Sequence, residues 1–299
     1  MFIKKFLCLA ATAALLMANA VCGAVPAPAP KGELSAYDAL FMARQTTHAA
    51  GPFRFSGTQT TNNRLTTPKR VSQTHRFYQM SGYNVNAYET FIQFDSWQTN
   101  QSTGTPIYGS PSASTSLLLN PEGIYGKTGS GQWIEQDVIR MLSQFTNMGV
   151  LDQFFLLEIL NSNRLPLYKD FVSYGPDMKV MGVPHRLVYV DFTRAQYAEM
   201  VEAWAEDIEE MLGPAAEGMS DFELNLTRTL AKRTLTALDA EAHYVFYVDM
   251  ETGIITQINS GLDTADPNGT REANATARVL SKSSIKLFDF GKRITQVVV

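Results

Sequence analysis

The chain has 299 residues but only two cysteines, Cys8 and Cys22, both within its first two dozen residues. Beyond Cys22 there is no thiol, which excludes an internal disulfide, a cysteine metal ligand and a thiol nucleophile. Histidine is almost as scarce. His48, His75, His185 and His243 are scattered singly, without the i, i+4 spacing of a helical zinc site, and read as surface or satisfied core residues. No serine sits in a Gly-x-Ser-x-Gly elbow. Gly123-Ile124-Tyr125-Gly126-Lys127-Thr128 ends like a phosphate-binding loop, yet has two residues between its glycines where four are needed to wrap phosphate. It reads as a hairpin turn. With these signatures missing, the expectation is a non-catalytic protein that needs no cofactor and no metal.

Long apolar runs are missing as well, with one exception at the start. Lys4 and Lys5 precede an apolar stretch, Phe6 to Met17, which is shorter than the roughly 20 residues a membrane-spanning helix needs. Ala18-Asn19-Ala20 and Cys22-Gly23-Ala24 both satisfy the small-x-small cleavage rule. Residues 1–24 therefore read as a cleaved signal peptide, and the expected location is extracytoplasmic, in the periplasm or cell envelope. A lipoprotein signal would also place a cysteine near Cys22, but Val21 and Asn19 fit that rule poorly. Val25 to Lys31 (VPAPAPK) is a proline-alanine spacer that prefers an extended chain, so residues 25–32 are set apart from a single domain over 33–299.

Basic charge is in deficit. Losing Lys4 and Lys5 with the leader takes the net charge from −4 to −6, and an acidic domain without a basic stripe is a poor nucleic-acid binder. Apolar residues make up 45% of the chain, enough for a sizeable core in about 275 residues.

Periodicity supplies the elements. Ser35 with Asp38 resembles a capping box, and Tyr37, Leu40, Phe41 and Arg44 then share one helical face that Gly51-Pro52 ends. From Phe53 to about Ile134 strand-forming segments alternate with Gly, Pro and Asn turns, the pattern of an antiparallel meander. Helical segments follow at about Glu135 to Thr146 and Leu151 to Leu160, then a strand pair near Tyr168 to Tyr174 and Pro184 to Phe192. Tyr197, Val201, Trp204, Ile208 and Met211 recur at helical steps between Arg194 and Leu212, opposite a solvated acidic face. Ser220 with Glu223 starts another helix to about Leu238, along which Phe222, Leu226 and Leu230 line up. Strands close the chain at His243 to Asp249, Ile254 to Ile258 and about Ala277 to Phe290. Asp263, Asp266, Asn268 and Glu272 read as a solvated loop between strands, since an EF-hand's twelfth-position Glu is missing. Without any βαβ alternation, this order predicts an α+β fold: one curved antiparallel sheet with helices packed on one face.

The layout, together with three short segments, resembles the bacterial lipoprotein-localisation and lipid-carrier superfamily, LolA/LolB-like and LppX/LprG-like. The segments are Phe53-Arg54-Phe55-Ser56-Gly57, Tyr247-Val248-Asp249-Met250-Glu251-Thr252-Gly253-Ile254, and Ile285-Lys286-Leu287-Phe288-Asp289-Phe290-Gly291. The resemblance implies a half-barrel whose concave side, covered by helices, holds the acyl chain of a lipid or acylated lipoprotein. The alternative is an envelope domain that meets a protein partner and carries no ligand. The aromatic loading of the strands suits either a cavity or a filled core. Phe53, Phe55, Phe77, Phe91, Phe94 and Trp97, with Ile254 and Ile258, are the candidate lining residues.

Overall fold

A computed structural model describes residues 34–86, 89–107, 111–120, 123–136, 169–199, 220–236, 239–266 and 276–297, together with Gln144, Met148, Gln153 and Leu156. Helix α1 (Ala36–Ala49) begins as its capping signal requires: the Ser35 side chain accepts a hydrogen bond from the Asp38 backbone N–H. Its buried face is Ala36, Leu40, Ala43, Thr46 and Thr47, while Tyr37 and Phe41 stack beside it. Arg44 lies over the Phe41 ring. Burial of Arg44 pushes its guanidinium pKa down.

Among the described residues twelve strands form one antiparallel sheet. They are β1 (Phe53–Thr66), β2 (Val71–Asn86), β3 (Glu89–Trp97), β4 (Ala113–Asn120), β5 (Gly123–Thr128), β6 (Ile134–Gln136), β7 (Val172–Tyr174), β8 (Met178–Val180), β9 (Val183–Phe192), β10 (Asp239–Asp249), β11 (Ile255–Asp266) and β12 (Thr276–Phe288). Their order is β6-β5-β4-β3-β2-β1-β12-β11-β10-β9-β7, with β8 paired to β9. The sheet is thus two meanders, β1 to β6 and β7 to β12, joined where the first strand meets the last. It is curved and does not close, and α1 with the helical residues Leu156 and Tyr197 packs on its concave face.

Three local differences from the sequence reading have simple causes. Gly123–Thr128 is a strand rather than a turn, because both of its edges are occupied by β4 and β6. Glu135 belongs to β6, so no helix starts there. Asp263 lies within β11, which runs past Ile258 because β10 and β12 pair with it along their length. Its carboxylate takes hydrogen bonds from Arg278 and sits 3.2 Å from Arg194, which also reaches Asp239 at 2.8 Å. The Arg278 hydrogen bonds hold the Asp263 carboxyl below the usual carboxylate range. This clamp ties the helical residues that start at Arg194 to the sheet.

Two of the segments that carry the family resemblance converge in space. Phe55 pairs with Leu287 across β1 and β12, and Arg54 approaches Asp289. The Gly291 N–H donates to the Pro52 carbonyl, and an added Cβ on Gly51 would lie 3.2 Å from the Gly291 Cα. Both glycines have positive φ (91° and 69°), so the chain crosses here only without side chains. In the remaining segment the Asp249 carboxylate accepts from the Glu251 N–H, shaping the turn between β10 and β11.

Tyr197 is 1% exposed and stacks with Phe192, which places the start of its helix inward; Val201, Trp204, Ile208 and Met211 lie outside the described residues. Helix α2 (Asp221–Thr236) begins where Ser220 placed it. Phe222, Leu226 and Leu230 do share a face, and that face is exposed. His185 is a satisfied interior histidine: its Nδ1–H donates to the Val183 carbonyl, and Nε2 accepts from the Thr256 hydroxyl.

Candidate ligand site

Strand alternation decides which side chains reach the concave face. On β1 these include Phe53 and Phe55, on β3 Thr90 and Ile92, on β11 Ile258, and on β12 Ile285 and Leu287. Together with Asn84 and the helical residues Gln153 and Leu156 they enclose a cavity of about 40 Å³. Its polar wall atoms satisfy one another. The Asn84 amide donates to the Thr90 hydroxyl (2.9 Å), and the Gln153 amide donates to Ser283 (3.0 Å), itself bonded to Ser260 (2.6 Å). The space is therefore apolar in what it offers a guest.

A second, larger cavity of about 380 Å³ lies further along β2 and β3 and reaches β4 and the loop after Trp97. Tyr78 and Phe94 meet edge to face on its floor, and the Tyr78 hydroxyl donates to the Met148 carbonyl at 2.9 Å. Burial raises the Tyr78 pKa, partly offset by Arg76, which hydrogen-bonds the phenol. The outer wall is stapled to β2, because Thr99 donates to the His75 carbonyl (2.6 Å) while Gln101 accepts from the His75 N–H (3.0 Å). Among the described lining residues Arg76 is the one arginine or lysine.

No family model matches the chain, and no curated protein matches its sequence. Solved structures do. LprF from Mycobacterium bovis is 10% identical with a TM-score of 0.33, over 90% of this chain and 97% of that one. LppX from Mycobacterium tuberculosis is 8% identical with a TM-score of 0.35, over 87% and 97%. A LolA superfamily protein from Nitrosomonas europaea is 11% identical with a TM-score of 0.25, over 87% and 98%. The fold described above rests on the strand order and register.

The sequence candidates divide among several places. Phe53, Phe55 and Ile258 line the apolar cavity, Phe94 lines the larger one, and Trp97, paired with Phe77 at the end of β3, borders it. Phe77 and Phe91 alternate onto the outer face, since Phe77 falls between the inward Arg76 and Tyr78 and Phe91 precedes the inward Ile92. There Phe91 stacks on Tyr83 (5.3 Å) and meets Trp133 (6.4 Å) in a small cluster with the buried Leu118. The C-terminal segment reaches this cluster, with Val297 N–H donating to the Tyr83 hydroxyl. Ile254 precedes β11 and is half-buried, and Ile255 takes the fully buried position. Ile92, Ile285, Leu287, Leu156 and Arg76 were not among the candidates. Parity along the strand could have supplied Ile92, because Phe91 and Phe94 are three residues apart and cannot share a face.

Proposed function

We propose that this protein is exported by its signal segment and binds the acyl chain of a lipid or lipoprotein on the concave face of its half-barrel, as a non-catalytic carrier or chaperone of the cell envelope. The observation that carries this reading is the apolar cavity between Phe53, Phe55, Ile92, Ile285 and Leu287 on the sheet and Leu156 above it. Burial of each CH₂ in such a space contributes about 0.8 kcal/mol, so affinity needs no catalyst and no metal. At about 40 Å³ the cavity is far below the roughly 300 Å³ of a ligand pocket, so holding an acyl chain requires the site to widen.

That small volume favours a second reading, a ligand-free envelope domain with a filled core. Native mass spectrometry of protein purified from its own envelope separates the two. A carrier shows an added mass that organic extraction removes, and the delipidated chain then binds a fluorescent fatty acid saturably. An unmodified mass together with no fatty-acid binding selects the ligand-free domain. The same measurement tests export: a mature chain starting at Val21 or Val25 supports it, and retained Met1 refutes it.

A further inference from the structure

We propose that the inward oxygens of Thr61 and Asn63 on β1 form a subsite for the hydroxyl groups of a neutral lipid head whose acyl chain lies toward the apolar cavity. The proposal rests on the lipid-binding reading and extends it to the class of lipid. Thr61, Asn62 and Asn63 each bury a side-chain oxygen that has no hydrogen-bond partner. Buried polar groups are almost always paired, because an oxygen stripped of water and given no donor costs the fold. Three such oxygens in a row are an unusual concentration, and strand parity sorts them. β1 pairs with β2 and β12 in unbroken register, so Thr61 and Asn63 share the inward face of Phe53 and Phe55 while Asn62 faces outward. Thr61 is 2% exposed and Asn63 is half-buried.

The two inward oxygens flank the larger cavity. Thr61 pairs with Arg76 and Asn63 with Thr74, both lining residues of that 380 Å³ space, and paired residues lie about 5 Å apart across a sheet. Phe55, in the wall of the apolar cavity, precedes Thr61 on the same face of β1, at about 20 Å for a strand rising roughly 3.4 Å per residue. A long acyl chain spans that distance. The Asn63 amide oxygen only accepts, and the Thr61 hydroxyl accepts as well as donates. What both oxygens lack is a donor. An ester or ether oxygen brings none. A hydroxyl brings one without taking a charge out of water, and two hydroxyls of one polyol head serve two acceptors on alternate residues of a strand.

A free polyol offers the same hydroxyls as a lipid head, and an ammonium also donates. The test titrates the delipidated full chain with glycerol monooleate, methyl oleate, oleylamine and free glycerol. The two esters carry the same acyl group and differ in their hydroxyl donors. Wild type should bind glycerol monooleate about tenfold more tightly than methyl oleate. Thr61→Val alone should cut that ratio to about threefold, and Thr61→Val with Asn63→Leu should bring it to near one. Thermal unfolding should show both variants folded and no less stable than wild type. Asn62→Leu, on the outer face, should keep the ratio. Equal binding of the two esters by wild type overturns the proposal, as does a ratio that survives Thr61→Val or is lost equally in Asn62→Leu. Tighter binding of oleylamine than of glycerol monooleate would make this an ammonium site, and competition by glycerol at the monooleate's own concentration would make it a free-polyol site; either overturns it. Failure of both esters to bind removes the lipid-binding reading itself, whereas equal binding removes this subsite alone.

Discussion

Across the C-terminal meander the concave face is filled: Val188, Val190, Phe192, Tyr244, Phe246 and Ile255 are each at most 2% exposed, and Leu40 and Ala43 of α1 share their cluster. Across the N-terminal meander the same face is mixed. Phe55, Met80 and Ile92 alternate there with Gln59, Thr61, Asn84 and Thr90; the larger cavity opens against it, and the apolar one lies at its seam with β11 and β12. Among the described residues one continuous sheet therefore has a packed half and a more open half. At about 24 cal/mol per Å³, the 40 Å³ cavity costs the fold about 1 kcal/mol, a modest loss that the packed half offsets. Space for a guest is tolerated where polar residues already weaken packing, while anchoring is left to the other side.

The sharpest way to break this comparison is to truncate one aromatic in each half. Phe246→Ala should lose about 3 to 5 kcal/mol in urea unfolding, the usual range for a fully packed ring. Phe55→Ala should lose less, because its ring already borders a void, and should weaken fatty-acid binding while the chain stays folded. Equal stability losses would mean that the halves do not differ.

A second expected effect belongs to the packed half alone. Asp263→Asn should destabilise the protein by about 2 kcal/mol at neutral pH, as expected for charge-assisted hydrogen bonds to a nearly buried carboxylate. The folded-state pKa of Asp263 is depressed, so its contribution is complete above the unfolded value near 4. It disappears as pH falls through the lower folded value. Stability measured from pH 7 down to pH 2 should fall more steeply in wild type than in the variant, and parallel curves would remove the clamp from the account.

In the open half one change should stabilise. The Thr61 hydroxyl is buried without a hydrogen-bond partner, so Thr61→Val, which keeps the shape, should raise stability by about 1 kcal/mol. A loss of stability on thermal unfolding would mean that the hydroxyl is satisfied in solution. The smallest stability effect is expected for Ile285→Phe, whose larger side chain projects into the apolar cavity. Filling and crowding should roughly cancel, within about 1 kcal/mol, yet fatty-acid binding should be lost. Retained binding would place the acyl chain elsewhere.

Much of the architecture was legible because it depends on local pattern. The cap at Ser35, the alternation Phe53-Arg54-Phe55 and the turn at Asp249 each act over a few residues, and each appears where the sequence places it. The candidate site was legible only in part. Phe53, Phe55 and Ile258 were readable as strand aromatics and aliphatics, but choosing among aromatics by type alone also collected Phe77 and Phe91, which face outward. Ile254 was misplaced by a single residue, since the irregular register between Tyr247 and Val248 brings Ile255 inward. Arg76 carried no signal at all, because a lone arginine in a polar strand looks like any solvated charge.

The sequence by itself determined the period of each element, the ends of α1 and the absence beyond Cys22 of a thiol or a paired-histidine site, since these follow from residue type and spacing. Tertiary structure decided that β1 pairs with β12, which brings residues more than 200 positions apart into register and joins two meanders into one sheet. It also decided which half fills and which stays open. Packing is a property of facing surfaces, and no single strand's pattern records what another strand or helix will set against it.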